Sequence, residues 1–506
     1  MFAKAMNSTT TWNGAKSLST PDDNKIYEGR LFLFFKAMRG IFDDNLFNNL
    51  EKSAKEDLVD TFLLSFNTRD PRGGKGEREL GRKMLKWLFL NYPLQFKKIF
   101  ELIPEYGRWD DLLIFFPGCL ECGDVEQKIQ LSIVKYFAKQ LKKDKLLMLE
   151  GKPISLCAKW APTEKDSKDK KYCLVETLCK EMKITKTAYR KEYISPLRYY
   201  LQIVERYMCL NLWYDIDYSK VPSCAMKKLK KSFEKHEPEL YNEWKNNLET
   251  GKTKVNAKAL YPHELVKEIR QKGFADQVCL AQWKVLENEV KKLGILTNTL
   301  VVVDTSGSMQ SPNYLPLDIS TAIGLLVSNL VEGEFHNHII TFHETPTFVV
   351  LRDGDLSERY EQIKRIPWGG STNLQKTFDM ILNKARDANL TNEQMPDKLF
   401  IISDMQFNEI EGYSYNGVHK TNFEYIDEQY ENYGYKRPKI VFWNVNGSST
   451  DFPVSIKDDG TCLISGASSS ILESVIKATD FNSVSIMRTE LDKSRYHNIV
   501  NNLKYD

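Results

Sequence analysis

Apolar positions recur along residues 27–293 at helical spacing, broken by short polar turns; the stretches 58–66, 80–90, 125–141, 197–210 and 265–270 show the pattern most clearly. This predicts an array of roughly a dozen helices. After Leu293 the pattern changes to short apolar runs alternating with amphipathic segments, which predicts an α/β sheet. Its expected strands are 300–303, 338–342, 348–351, 399–402, 440–445 and 462–464, and its expected helices are 317–331, 373–388, 469–478 and 493–503. Residues 1–27 are rich in Ser, Thr, Asn and Asp without apolar periodicity, and are expected to form a flexible arm. The anticipated plan is α plus α/β: an arm over 1–27, an irregular helical domain over 28–293 without a fixed repeat period, and a doubly wound sheet domain over 294–506.

Length and composition suit this plan, since 506 residues with 42% hydrophobic side chains suffice for two or three cores. A net charge of +3 means that any nucleic-acid-binding surface must be local. The N-terminus lacks an apolar signal core and no run of about 18 apolar residues occurs, so the chain is expected to be soluble, intracellular and cytoplasmic, without membrane contact. Nine cysteines without regular spacing fit thiols in a reducing compartment. Cys119 and Cys122 form a lone CxxC pair, short of the ligand set a structural zinc needs. The segment EKDSKDKK at 164–171 reads as a solvated loop.

The run TLVVVDTSGSM places Asp304, Ser306 and Ser308 directly after a buried strand and before a helix, where open α/β sheets bind ligands. A hard cation such as Mg²⁺ takes oxygen ligands and keeps several waters, which suits hydroxyls combined with one or two carboxylates. Two more loops offer matching groups: Thr372, in WGGSTN before a helix, and Asp404, after the apolar run ending in Ile-Ile-Ser. The competing reading has the serines merely capping a helix. No Walker loop is present, because Glu77 follows Gly76 where Ser or Thr is required. His263-Glu264 and His343-Glu344 lack the second histidine of a zinc protease helix, and no nucleophile, base and orienting group stand out, so no enzymatic activity is expected.

Two basic clusters are candidates for phosphate contact. Arg69, Arg72, Lys75 and Arg78 surround a glycine-rich turn at a helix start, and Lys227, Lys228, Lys230 and Lys231 lie on one predicted helix with Phe233 and Trp244 nearby. Against them stand a solvated turn and a solvated helix face, with Asp70, Glu77, Glu234, Glu237 and Glu239 offsetting the charge.

The DxSxS loop with the distant Thr372 and Asp404 resembles the metal-ion-dependent adhesion site of von Willebrand factor A domains. That resemblance implies Ser306, Ser308 and Thr372 as direct ligands of one divalent cation, Mg²⁺ or else Mn²⁺ or Ca²⁺. Asp304 and Asp404 would bind directly or through water, and an Asp or Glu of a partner protein would complete the shell. The ordered motifs RDPRGGKGERE, EYGRWDDLL, AKWAPTE, SPLRYYLQIVE, VPSCAMKK and LYPHELV are similar to an uncharacterised family of plants, fungi and large DNA viruses. That family in turn is similar to the Ro autoantigen group, which joins a ring of HEAT-like repeats, the TROVE domain, to an A domain. The resemblance implies a scaffold associated with small or structured RNA. The alternative is a metal-dependent protein-interaction module with no RNA role; oligomeric state stays open.

Overall fold

The computed structural model describes residues 8–22, 26–116, 123–166, 169–170, 173–257, 259–294, 296–342, 346–366, 372–408, 422–449, 451–477 and 480–504. Cys119, Cys122, His343, Glu344, residues 368–371 of the WGGSTN loop and parts of the 164–171 segment lie outside these residues.

Between Glu28 and Lys291 the described chain is helical, and past it lies a mixed six-stranded sheet. Strand β1 (Ser8–Thr10) pairs antiparallel with β2 (Lys16–Leu18), and the two-residue β3 (Leu296–Thr297) pairs with β5 (Val331–Glu332). The main sheet runs β10 (Thr461–Ser465), β9 (Lys439–Asn444), β8 (Lys398–Ser403), β4 (Thr299–Asp304), β6 (His338–Phe342), β7 (Thr347–Val350). All neighbours are parallel except β7, which turns back antiparallel on β6.

Alternate side chains of the central strands enter two separate cores, as the two-residue period of a strand dictates. Val301, Val303, Phe400, Ile402, Val441 and Trp443 join the helix Leu315–Leu330 and the apolar side chains of the helical region. Leu300, Val302, Leu399, Ile401, Ile440 and Phe442 face Leu374, Phe378 and Ile381 of the helix Leu374–Asp387. Helices therefore cover both faces. The central strands are buried from end to end, which explains why they read as continuous apolar runs.

Residues 8–22 depart from the expected flexible arm. They form a β-hairpin against the sheet domain: Leu18 exchanges both backbone hydrogen bonds with Phe452 (2.8 and 2.7 Å), and Thr11 donates its hydroxyl to the Phe407 carbonyl. Ala15, Ser17 and Leu18 are buried there. A polar composition hid the hairpin, whose Thr11 and Thr20 hydroxyls bond backbone carbonyls. The first helix, Glu28–Lys36, is also part of the sheet domain, since Phe32 and Phe35 enter the second core with Phe452.

In the helical region Asp57 caps Leu58–Arg69 by accepting from Asp60 N at 2.8 Å, and Asp276 caps Gln277–Lys291 by accepting from Cys279 N at 2.9 Å. The longest helix is Asp124–Leu149. The expected helix over 197–210 is broken: a π-helical turn at Tyr189–Ile194 leads into Ser195–Tyr200, and Val204–Cys209 follows. The break falls at 201–203, where Gln202 adopts φ +50°. The described cysteines carry free thiols, and no described helix is long and apolar enough to cross a membrane.

Candidate metal centre

Strands β4 and β8 are adjacent and parallel, so their carboxyl ends open at the same edge of the sheet. Asp304 ends β4, and Asp404 follows Ser403 at the end of β8. Both aspartates are buried, at 0% and 3% exposure, and neither pairs with a cationic side chain among the described residues. Asp304 Oδ1 accepts from Ser306 N at 2.9 Å, while Oδ2 accepts from the Ser403 hydroxyl. The Ser306 and Ser308 hydroxyls are 3.1 Å apart, and Ser308 in turn reaches the Asp404 carboxylate, which also accepts from Gln406 N at 3.2 Å. Ser306 is buried and Ser308 exposed, so the cluster has an inner and an outer side.

Thr372 lies beside the loop that follows Asp404. Its amide donates to Asn408 Oδ1 at 3.0 Å and its carbonyl accepts from Asn408 N at 2.8 Å, which ties it to the loop that follows Asp404. The Thr372 hydroxyl is fully buried and has no hydrogen-bond partner among the described residues. Asn373 caps the next helix instead, accepting from Lys376 N at 2.9 Å. The serines do not cap: Ser306 precedes the 3-10 turn Gly307–Gln310 without a side-chain cap bond, and Tyr314 stands at the N-cap of Leu315–Leu330.

Burial, and then the neighbouring Asp404 charge, push the Asp304 carboxyl up to about 7. Burial likewise raises Asp404, opposed by backbone and serine hydrogen bonds and by Lys36. Two aspartates that repel each other in a buried site, with an unpartnered buried hydroxyl alongside, are a donor set lacking a positive charge. Their chemistry, carboxylate and hydroxyl oxygen, fits a hard divalent cation. Among the described residues no group of three or more His, Cys, Asp or Glu gathers, at this centre or elsewhere; the centre offers two carboxylates and hydroxyls.

Sequence reasoning missed three contributors. Ser403 holds the Asp304 carboxylate. Lys36, fully buried, is pushed down to about 8 by burial and partly sustained by Asp451 and Asp404. Its amine donates to Ser449 Oγ at 2.7 Å and lies over the Phe35 and Phe452 rings at 4.8 and 5.4 Å. A lone cation inside the run LFLFFKAM was the available signal. Gln406 is the third: its side-chain oxygen accepts from Trp12 N at 2.9 Å, and Trp12 itself is 93% exposed.

The two basic clusters do not form the phosphate surfaces expected of them. Arg69 is buried and paired with Asp111 at 2.7 Å, and Lys75 is buried with its amine directed at the Leu33, Phe34 and Ala37 carbonyls and Ser465 Oγ. Arg72 and Arg78 are exposed but engaged, Arg72 with the Glu105 carbonyl at 2.9 Å and Arg78 with Asp110 at 3.0 Å. On the helix Ser223–His236, Lys227 binds the Glu264 carbonyl and carboxylate, and Lys230 binds Glu268 and Asp276. Only Lys228 and Lys231 of the four are exposed. Phe233 and Trp244 are core residues packed with Tyr218 and Tyr241, unavailable for stacking on bases.

Over 95% of its length the chain is 32% identical to uncharacterized protein L728 of Acanthamoeba polyphaga mimivirus, covering 86% of that protein. The chain belongs to the family of that viral protein. The expected tie to a family of large DNA viruses is met by this relative. Within the family's chain plan, residues 125–296 match a domain of unknown function, DUF2828, and residues 298–503 match another, DUF7788. The two meet where β3 opens the sheet domain. Among solved structures, the crystal structure of the Deinococcus radiodurans RO (RSR) protein is similar over 92% of this chain and 99% of that one, with 14% identity and a TM-score of 0.42.

Proposed function

We propose that this protein is a binding scaffold, not an enzyme, in which a HEAT-like helical base carries a von Willebrand A-type domain. Asp304, Ser306, Ser308, Thr372 and Asp404 hold one divalent cation, Mg²⁺ in preference to Mn²⁺ or Ca²⁺. An Asp or Glu of a partner protein completes its coordination from the Ser308 side. The observation that carries the reading is the pair of buried, unpaired aspartates beside the unpartnered Thr372 hydroxyl. A cation there would offset their repulsion, which low-dielectric surroundings make strong. The exposed Trp12, held by its backbone on Gln406, supports a docking role, because aromatic side chains dominate the energetics of protein interfaces.

RNA association, implied by resemblance, has lost half of the residues on which it was placed, since Arg69, Lys75, Lys227 and Lys230 serve the fold. The carboxylate-partner reading is therefore the one proposed. It is tested by equilibrium dialysis of the full chain against Mn²⁺, with bound ion read by electron paramagnetic resonance. One ion per chain is expected, displaced by Mg²⁺, lost in Asp304→Ala and weakened at least about tenfold in Thr372→Val. An array of acidic peptides should then bind in Mg²⁺ and release in EDTA, with their Asn and Gln counterparts inert. Absence of saturable Mn²⁺ uptake at millimolar concentration would refute the reading.

A further inference from the structure

The motifs AKWAPTE and SPLRYYLQIVE, distant in sequence, line one cleft. It measures about 710 Å³ and is bounded by Lys159, Trp160, Thr163 and Glu164 on one side, and by Tyr189, Arg190, Ser195, Arg198, Glu205 and Arg206 on the other. The π-helical turn at Tyr189–Ile194 forms part of the wall, a conformation that recurs at functional sites.

The cations of this cleft differ from several others of the helical region. Arg69, Arg78, Arg82 and Lys230 all pair with carboxylates. Lys159, Arg190, Arg198 and Arg206 pair with none among the described residues. Arg198 is instead fixed by backbone carbonyls, donating from Nε to Ala158 O at 2.8 Å and from Nη2 to Ala161 O at 3.1 Å. Arg206 donates from Nη1 to Ser195 O at 3.2 Å and lies over the Tyr199 ring at 5.3 Å, and its buried Nε has no acceptor. Burial lowers the Arg198 pKa; Tyr189 and the Asp166 carboxylate oppose this, and the Arg206 charge adds to it. Two guanidiniums that repel each other and are held in place by carbonyls are preorganised for an anion, and their planar donor forks match a phosphate. Four cations against Glu164, Glu205 and the nearby Asp166 leave the cleft net positive, which suits a phosphate anion.

A phosphate alone would occupy a small part of the cleft, whose volume falls within the roughly 300–1,000 Å³ of small-molecule sites. The half-buried Trp160 supplies an aromatic wall, already in contact with the Arg108 guanidinium at 4.4 Å. We infer that the cleft between the helix Cys157–Trp160 and the segment 189–209 binds the phosphate-bearing unit of a nucleotide, with Arg190, Arg198 and Arg206 on the phosphate and Trp160 against the base. The unit comes either from a free nucleotide or from the phosphorylated end of a chain. This site is separate from the candidate metal centre and does not depend on it.

The test is isothermal titration calorimetry of the full chain with adenosine 5′-monophosphate, adenosine, and a short oligonucleotide carrying either a 5′-phosphate or a 5′-hydroxyl. EDTA is present throughout, so that no phosphate is held by a cation at Asp304 and Asp404, and loss of the metal reading leaves this result intact. The monophosphate or the phosphorylated oligonucleotide should bind at least about tenfold more tightly than its unphosphorylated counterpart. If only the oligonucleotide binds, the source is a chain end; if only the monophosphate binds, it is a free nucleotide. Arg206→Gln should weaken binding about tenfold, and Arg190→Gln, whose exposed side chain makes no hydrogen bond among the described residues, should weaken it without altering the thermal transition. Failure of both phosphorylated probes at millimolar concentration overturns the proposal. So does equal binding of the probes with and without phosphate, or affinities untouched by both substitutions.

Discussion

Lys75 shows how far a residue's surroundings can depart from what its neighbours in sequence suggest. In the turn Arg-Gly-Gly-Lys-Gly-Glu-Arg the glycines permit close packing rather than flexibility. A Cβ on Gly74 would lie 2.1 Å from the Asn67 carbonyl, and Gly76 turns with φ +68° against the Tyr261 hydroxyl. The chain therefore lies against the helix Leu58–Arg69 and directs Lys75 inward, where its amine meets the last carbonyls of the helix Glu28–Lys36, the negative end of that helix dipole. Lys75→Met should leave several buried carbonyls short of a donor and lower the unfolding free energy by about 2–4 kcal/mol. Arg78→Met, at an exposed guanidinium whose partner Asp110 keeps Arg82 and Arg108, should cost under about 1 kcal/mol. Urea denaturation of both variants decides the matter, and equal losses would return Lys75 to the surface role first expected of it. Arg69 was misread for a related reason: its partner Asp111 lies 42 positions away, and local charge counting does not reveal such pairs.

At the scale of elements, the strands were legible because they are buried on both faces. His338–Phe342 coincides with its expected range, and Thr299–Asp304 and Lys398–Ser403 extend theirs by a residue or two at each end. Legible strands made the site legible, since Asp304 and Asp404 owe their proximity to the parallel pairing of β4 and β8. Ser403 was passed over because a serine in an apolar strand carries no spacing signal. The carboxylate pair has a consequence for stability. An unfolded aspartate titrates near about 3.9, whereas Asp304 in the fold is raised to about 7. Between these values the folded state binds more protons than the unfolded one, so in EDTA stability should fall as pH rises from about 4 to 7. A bound divalent cation stabilises the ionised form and should flatten or reverse the slope. Melting temperatures at pH 5 and 7.5, in EDTA and in millimolar Mg²⁺, are the measurement. Asp304→Asn should flatten the slope in EDTA and remove the Mg²⁺ effect; a slope unchanged in that variant would assign the pH dependence to other groups.

The whole molecule is interlocked in a way that the change of pattern at Leu293 does not show. Phe32 and Phe35, before the helical array, complete the core on one face of the sheet, and the hairpin strand Lys16–Leu18 lies beside Phe452. In the other direction, the end of the chain returns to the helical region. Arg488 pairs with Asp60 at 2.6 Å, Arg495 holds the fully buried Asp70, and Asn67 donates to Glu490 at 2.8 Å. Apolar periodicity located the two kinds of structure but could not show that each borrows elements from the other, because those contacts join residues some 400 positions apart. A chain shortened to residues 296–506 keeps every strand of the main sheet yet loses the partners of Phe452, Arg488, Arg495 and Glu490. Such a chain leaves a buried apolar face open and Arg495 without its carboxylate partner Asp70, the condition in which small domains lose a unique packed state. Its circular dichroism should keep strand and helix signal while the sharp thermal transition of the full chain disappears and binding of a hydrophobic dye rises. A shortened chain that melts as sharply, and at the same temperature, as the full protein would mean that the sheet domain folds independently and that these contacts are only docking contacts between two finished units.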